Sequence, residues 1–317
     1  MHVLAAPDKF RGTLTARQAA AAIAVGAVRA GWTAVELPLA DGGEGTLDVL
    51  GGGNRRTVVT GPLGEPVEAE WRLEADGTAL IEAALACGLS LAGGPENNDP
   101  LGATSRGVGE LVAAAVAEGA RGIVVAVGGV ASTDGGVGAL EALPPDPPPI
   151  DVACDVDARL LDAADVFAPQ KGATSEQVRV LRERLERLSV PDLPGSGAAG
   201  GLAGGLAAAG ARLVPGFELV AARLGFDDRL TEVDLVVTGE GLVDATSLTG
   251  KVVGRVLARA ETARVEALVL AGDVAAGSPI AAVSLVERYG PGRALAEPAE
   301  CLAELAETAL AARRNGP

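Results

Sequence analysis

The chain has 317 residues and a net charge of −16, enough length for one large or two ordinary domains and the wrong sign for a nucleic-acid or anionic-membrane surface. Hydrophobic residues make up 48% but aromatics only 2%, so the core must be built from Ala, Val, Leu and Ile, and no apolar run is long enough to span a bilayer. A single histidine, His2, and three scattered cysteines, Cys87, Cys154 and Cys301, argue against a zinc site, a Ser-His-Asp triad and a disulfide framework.

The N-terminal segment MHVLAAPDKF lacks the basic region and long apolar stretch of a signal peptide, so cytoplasmic residence is expected. His2 to Ala6 reads as a first strand running into PDKFRG, followed by a helix from Ala16 to Ala30 with a Thr15/Gln18 capping box and Gly31 as its stop. Val35 to Leu39 reads as a second strand ending in ADGGEGT. Two strands that each break into Gly-rich polar loops before a helix argue for a parallel α/β sheet with ligands at the strand C-termini. From Thr57 to Glu82, alternation and the turns GPLG and DG predict antiparallel strands. A helix follows from Ser105 to Glu118.

Gly122 to Val127, GIVVAV, reads as a buried strand, and GGVASTDGGVG (Gly128 to Gly138) follows it. Glycines let backbone N–H groups approach a ligand, and the helix N-terminus beyond favours anions. PPDPPP (Pro144 to Pro149) is a stiff linker with no room for a helix. Val152 to Cys154 is a strand ending in Asp155 and Asp157, two carboxylates two apart that face one side and suit magnesium. Ser175 to Leu188 is a charged helix with a Thr174/Gln177 capping box. GSGAAG (Gly195 to Gly200) fits the dinucleotide fingerprint only in letters, because VPDLP before it is not a strand; an Ala/Gly-rich helix packed closely on a neighbour is the better reading. Leu235 to Val237 is a strand leading into TGEGLVD, after which TSLTGK opens a helix without being a Walker A loop. Ala267 to Ala271 and Ala281 to Leu285 read as strands, and Ala299 to Arg314 as a closing helix. The layout is a discontinuous Rossmann-like α/β domain, residues 1–53 plus 230–317, with an inserted mixed α/β domain, residues 54–229.

Only three lysines occur, Lys9, Lys171 and Lys251, all in Gly-flanked loops rather than on helix faces. A compact ammonium suits phosphate or carboxylate, so these read as ligand lysines.

In order along the chain, APDKFRGTLTA, ADGGEGT, GPLGEPV, ATSRGVGEL, GGVASTDGGVG, ACDVD, PQKGAT, PGSGAAGGL and TGEGLVDATSLTGK resemble the type I glycerate kinases of bacteria, over nearly the whole chain. That resemblance implies two α/β domains with the active site in the cleft between them. It also implies transfer of the ATP γ-phosphoryl group to D-glycerate, with magnesium, typically giving 2-phosphoglycerate, in a monomer or homodimer with no nucleic-acid or membrane partner. The candidate catalytic residues are then Asp41, Asp134, Lys171 and Lys251. Lys9, Arg11, Gly42, Gly43, Glu44, Gly128, Gly129, Ser132, Thr133, Gly239 and Glu240 would bind substrate or nucleotide, and Asp155, Asp157 and Asp244 the magnesium ion.

The chain departs from the family pattern in places. Arg11 replaces a usual lysine, and Val130 and Thr133 stand where Ser and Asn are common. The few dozen residues that usually follow ALEAL are reduced to PPDPPPID, and DARLLDAAD replaces the usual DNPLLGP-G. This shortening raises the alternative of a catalytically weakened relative that binds glycerate or nucleotide and regulates.

Overall fold

The computed structural model describes residues 1–10, 12–248 and 250–314, so Arg11 and Thr249 lie outside the described residues. In chain order the strands are β1 (His2–Ala5), β2 (Thr33–Glu36), β3 (Arg55–Thr60), β4 (Pro66–Leu73), β5 (Thr78–Glu82), β6 (Gly122–Ala126), β7 (Ile150–Ala153), β8 (Arg212–Val214), β9 (Leu235–Thr238), β10 (Leu242–Val243), β11 (Glu266–Ala271), β12 (Asp273–Val274) and β13 (Val283–Ser284). The chain forms two compact units, residues 1–41 with 220–317, and residues 42–219. Among the described residues, no helix is long and apolar enough to cross a membrane.

The first unit is a parallel sheet of order β13–β11–β9–β1–β2. Alternate strand residues are buried on opposite faces, as a parallel sheet covered on both sides requires. Val3, Ala5, Leu235, Val237, Leu268 and Leu270 pack under the helices Ala16–Arg29 and Pro298–Arg314, whereas Val269 and Ala271 join Val243, Val253 and Ile280. With few aromatics, small residues let the two helices come close. A Cβ on Gly26 would lie 2.3 Å from the carbonyl oxygen of Ala303. The Thr15/Gln18 capping box is present, with Gly31 left-handed after the helix.

The second unit is a mixed sheet, β3–β4–β5–β6–β7–β8, antiparallel at β3/β4 and β4/β5 and parallel from β5 onwards. The expected turns close the hairpins: Gly61 N–H donates to Glu65, and Gly77 N–H to Glu74. PPDPPP leads directly into β7, with Ile123 N–H donating to the Pro149 carbonyl at 2.9 Å, and β6 and β7 pair from Ile123/Ile150 to Ala126/Ala153. The short connection therefore delivers the strand in continuous register.

The segment GSGAAG differs from expectation. Helix Leu202–Ala208 begins only after it, because Ala199, Gly200 and Gly201 are all left-handed, a conformation that breaks a right-handed helix. The close packing expected of it is nonetheless there. A Cβ on Gly200 would lie 1.9 Å from the carbonyl oxygen of Ser132, so this turn is pressed onto the ASTDGG loop.

Candidate active site

In the second unit the Gly-rich turns gather at the C-terminal ends of β5, β6 and β7. A Cβ on Gly128 would lie 2.5 Å from Gly43 Cα, and one on Gly42 would meet Ala153 O and Gly216 Cα at 2.9 Å. Glu44 lies beside Gly129. These glycines are needed because backbone meets backbone there.

Three carboxylates at this end of the sheet serve the protein's own backbone. Glu82, the last residue of β5 and buried, accepts the amides of Gly45 and Leu47, each at 2.9 Å. Asp134, after β6, accepts the Ser105 amide (2.9 Å), the Ser105 hydroxyl (2.8 Å), and the amides of Gly136 (3.1 Å) and Gly138 (3.2 Å). Asp155, after β7, accepts the amides of Gly216 (3.0 Å) and Phe217 (2.6 Å). Each carboxylate sits at the start of a helix, Thr46–Val49, Val137–Ala142 or Gly216–Leu224. A helix N-terminus that already holds an internal anion satisfies its amides without a ligand.

The sequence-based expectation that the helix after GGVASTDGG offers its N-terminus to an anion is therefore corrected. The amides of Gly136 and Gly138 go to Asp134, that of Ala139 to Ser105 Oγ, and that of Gly135 to Gly200. Earlier in the loop the backbone is held as well, the Ala131 amide by the Cys87 carbonyl. Ser132 and Thr133 are buried there, and the Ser132 hydroxyl has no hydrogen-bond partner among the described residues. Of the Asp155/Asp157 pair, Asp155 accepts amides at the start of the helix Gly216–Leu224 while Asp157 is exposed. Among the described residues, no group of three His, Cys, Asp or Glu side chains could hold a metal ion. Lys171 is 8% exposed, and its Nζ donates to the Ser132 carbonyl at 2.6 Å.

In the first unit the backbone ladder continues past the C-terminus of β1. Asp8 N–H donates to Gly239 O, and Leu39 N–H to Pro7 O, so PDK runs between the segment after β9 and the segment after β2. Gly239 admits no side chain, since a Cβ would lie 1.8 Å from Leu270 O. Asp8 is only 7% exposed. Burial first, then the neighbouring charge of Asp41, pushes its carboxyl up to about 7; Lys9 opposes the shift and Glu240 adds to it. Glu240, 8% exposed, is also raised by burial, while the Ser247 hydroxyl and the Lys251 ammonium pull it back. Lys251 Nζ lies 3.7 Å from both Glu240 Oε2 and Asp244 Oδ1. Asp244 also accepts the amide and hydroxyl of Thr246, which hold its carboxyl below the usual range.

Asp41, Glu240, Asp244, Gly239, Lys9 and Lys251 thus belong to the strand ends of the first unit. Gly42, Gly43, Glu44, Gly128, Gly129, Ser132, Thr133, Asp134, Asp155, Asp157 and Lys171 belong to the second. Arg11 lies outside the described residues. The residue that sequence reading passes over is Asp8. Its only local signal is position, a carboxylate shortly beyond an apolar strand; its perturbation comes from burial first and then from Asp41 and Glu240, none of which a short window contains.

The sequence model of the Glycerate kinase family matches residues 3–146 and 147–313, breaking inside PPDPPP. The glycerate 2-kinase of Escherichia coli strain K12 is 37% identical over 305 residues, covering 80% of each chain. The glycerate kinase of Halalkalibacterium halodurans is 37% identical, covering 87% of this chain and 86% of its own. A crystal structure described as a candidate glycerate kinase 2 from Salmonella typhimurium LT2 superposes with a TM-score of 0.78 at 32% identity, covering 99% of this chain and 98% of that one.

Proposed function

This chain belongs to the glycerate kinase family, and we propose that it moves the γ-phosphoryl group of ATP to the 2-hydroxyl of D-glycerate, giving 2-phosphoglycerate. The observation that carries this reading is the buried Asp8 beside Asp41 and Glu240, with Lys9 and Lys251 at the same strand ends. Phosphoryl transfer asks a protein for positioning and charge neutralisation more than for covalent chemistry. A base must still take the proton of the attacking hydroxyl. A carboxylate titrating near 7 is well matched to that work, because it is substantially ionised at neutral pH yet basic enough to hold the proton.

Lys251, the N-cap residue just before the helix Val252–Ala263, supplies positive charge for the phosphoryl oxygens. Magnesium enters as the ATP complex, for which one or two protein carboxylates suffice. Asp134, Asp155 and Glu82 act as internal caps that hold the Gly-rich turns of the second unit in shape.

The name of the Escherichia coli relative, a glycerate 2-kinase, supports the 2-phospho product. The unbroken β6/β7 register across the short PPDPPP connection speaks for a working enzyme over a regulatory relative. The test is ADP release from MgATP with D-glycerate, with the product identified by phosphorus NMR. Release of 2-phosphoglycerate is expected. No ADP from cooperatively folded protein overturns the kinase reading, binding of both ligands without turnover selects the regulatory one, and 3-phosphoglycerate overturns the regiochemistry.

A further inference from the structure

Lys171 stands apart from the other two lysines because its ammonium is inside the protein. Its Nζ is 2.6 Å from the Ser132 carbonyl oxygen, and its own carbonyl accepts from Asn98 Nδ2 at 2.9 Å. The same Asn98 Nδ2 donates to the Ala131 carbonyl at 3.2 Å. One amide group and one ammonium therefore hold two consecutive carbonyls of the ASTDGG loop. The Ala131 amide is held from the other side by the Cys87 carbonyl at 2.9 Å. Gly172 fixes the approach of the lysine segment: its φ is +92°, and a Cβ there would lie 2.0 Å from Pro95 O.

A buried ammonium costs free energy unless it is hydrogen-bonded or compensated. Desolvation lowers the Lys171 pKa to about 8, and the charges facing it, Cys87 and Asp134, act in the opposite direction. Burial raises the Cys87 thiol far above neutrality.

We infer that Lys171 is a positioning residue, holding the Ser132 peptide of the ASTDGG loop together with Asn98, and that it does not itself reach for a phosphate. This rests on the kinase reading above. It has a consequence that a lysine reaching into solvent for a phosphate would not share. Above about pH 8 the ammonium loses its proton, the bond to the Ser132 carbonyl weakens, and the loop loosens.

The experiment is the pH dependence of kcat and KM for MgATP and D-glycerate in the wild type, K171M, N98A and the double variant. The wild type should show an alkaline limb near pH 8 that K171M lacks. K171M and N98A should each lower kcat, by up to about 100-fold as expected for a misplaced site, with KM for MgATP little changed. The double variant should be no worse than K171M, because both act through one loop. A rise in KM for MgATP with kcat retained, or a limb near pH 8 persisting in K171M, overturns the inference. If K171M does not fold, N98A decides, and an unchanged kcat and alkaline limb there overturn it too. Hydrogen exchange of residues 131–135, corrected for intrinsic rates, separates this from failure of the kinase reading. The loop must loosen above pH 8 in the wild type and at all pH in N98A, whether or not glycerate is turned over; unchanged protection overturns the inference alone.

Discussion

Asp134 takes both the amide and the hydroxyl of Ser105, at 2.9 and 2.8 Å, and so ties the turn after β6 to the start of the helix Arg106–Ala117. With the amides of Gly136 and Gly138 also bound, the carboxylate has four donors. Asp134→Ala should therefore destabilise the protein by roughly 2–4 kcal/mol, since hydrogen bonds to a charged acceptor are worth about 1.5–3 kcal/mol and the freed amides lose their partner. Urea denaturation measures this. A stable variant whose only defect is in turnover would return Asp134 to the catalytic group.

Glu82→Gln tests the neighbouring cap. The glutamine keeps the shape but offers one amide a donor instead of an acceptor, so the turn from Gly45 to Leu47 loses one bond and gains a clash of N–H groups. A loss of about 1–3 kcal/mol is expected. A melting temperature equal to that of the wild type would mean the bonds contribute nothing net.

Gly128→Ala should be poorly tolerated for a different reason. The new methyl would lie 2.5 Å from Gly43 Cα, so backbone rather than a flexible side chain must move. Overpacking of this kind costs typically 1–3 kcal/mol. Because the shift falls on the two Gly-rich turns, substrate affinity should fall with stability; unchanged KM values for both substrates would separate Gly128 from the site.

Asp8→Asn should lower kcat by about 10²–10⁴, the range of a general base. Its stability effect has a definite sign. Folded Asp8 titrates near 7 and the unfolded group near 3.8, so between these values the folded state retains a proton that the unfolded state has lost. Its stabilising contribution is full below about pH 4 and falls as pH rises to about 7. The neutral asparagine escapes that loss. Asp8→Asn should match the wild type at pH 4 and exceed it at pH 8, on the order of 2–4 kcal/mol at about 1.4 kcal/mol per unit. Wild-type activity should rise through about pH 7. Equal stability at both pH values, with kcat retained, would make Asp8 a bystander.

Lys251→Ala should reduce kcat/KM by about 10²–10³, as for loss of a charge contact made in the transition state. It also leaves Glu240 and Asp244 without their 3.7 Å partner, so the fold should lose little while the carboxylates repel. Arg184, exposed and bonded to the Leu101 carbonyl, is the control, and its alanine variant should behave as wild type. Similar kinetics for the two variants would make Lys251 an ordinary loop residue.

What was readable in the residues themselves is what short windows encode. The capping boxes Thr15/Gln18 and Thr174/Gln177 span three residues and form as read. The strands at 2–5, 122–126 and 235–238 follow from apolar runs, and the antiparallel hairpins from GPLG and DG. The ordered motifs identify the family because each is a local string. The division of labour among the carboxylates is not local. Asp134 is separated from Ser105 by 29 positions, Asp155 from Gly216 by 61, and Glu82 from Gly45 by 37. In sequence they are acidic residues at or shortly after apolar strands, with nothing local to set them apart from Asp41 or Glu240. Only the packed chain brings helix amides to some of them and burial with acidic neighbours to Asp8, because desolvation and hydrogen-bond partners are properties of what surrounds a group in space. The same holds for Lys171. Its loop resembles that of Lys251, but folding puts one ammonium on a backbone carbonyl and leaves the other beside two carboxylates.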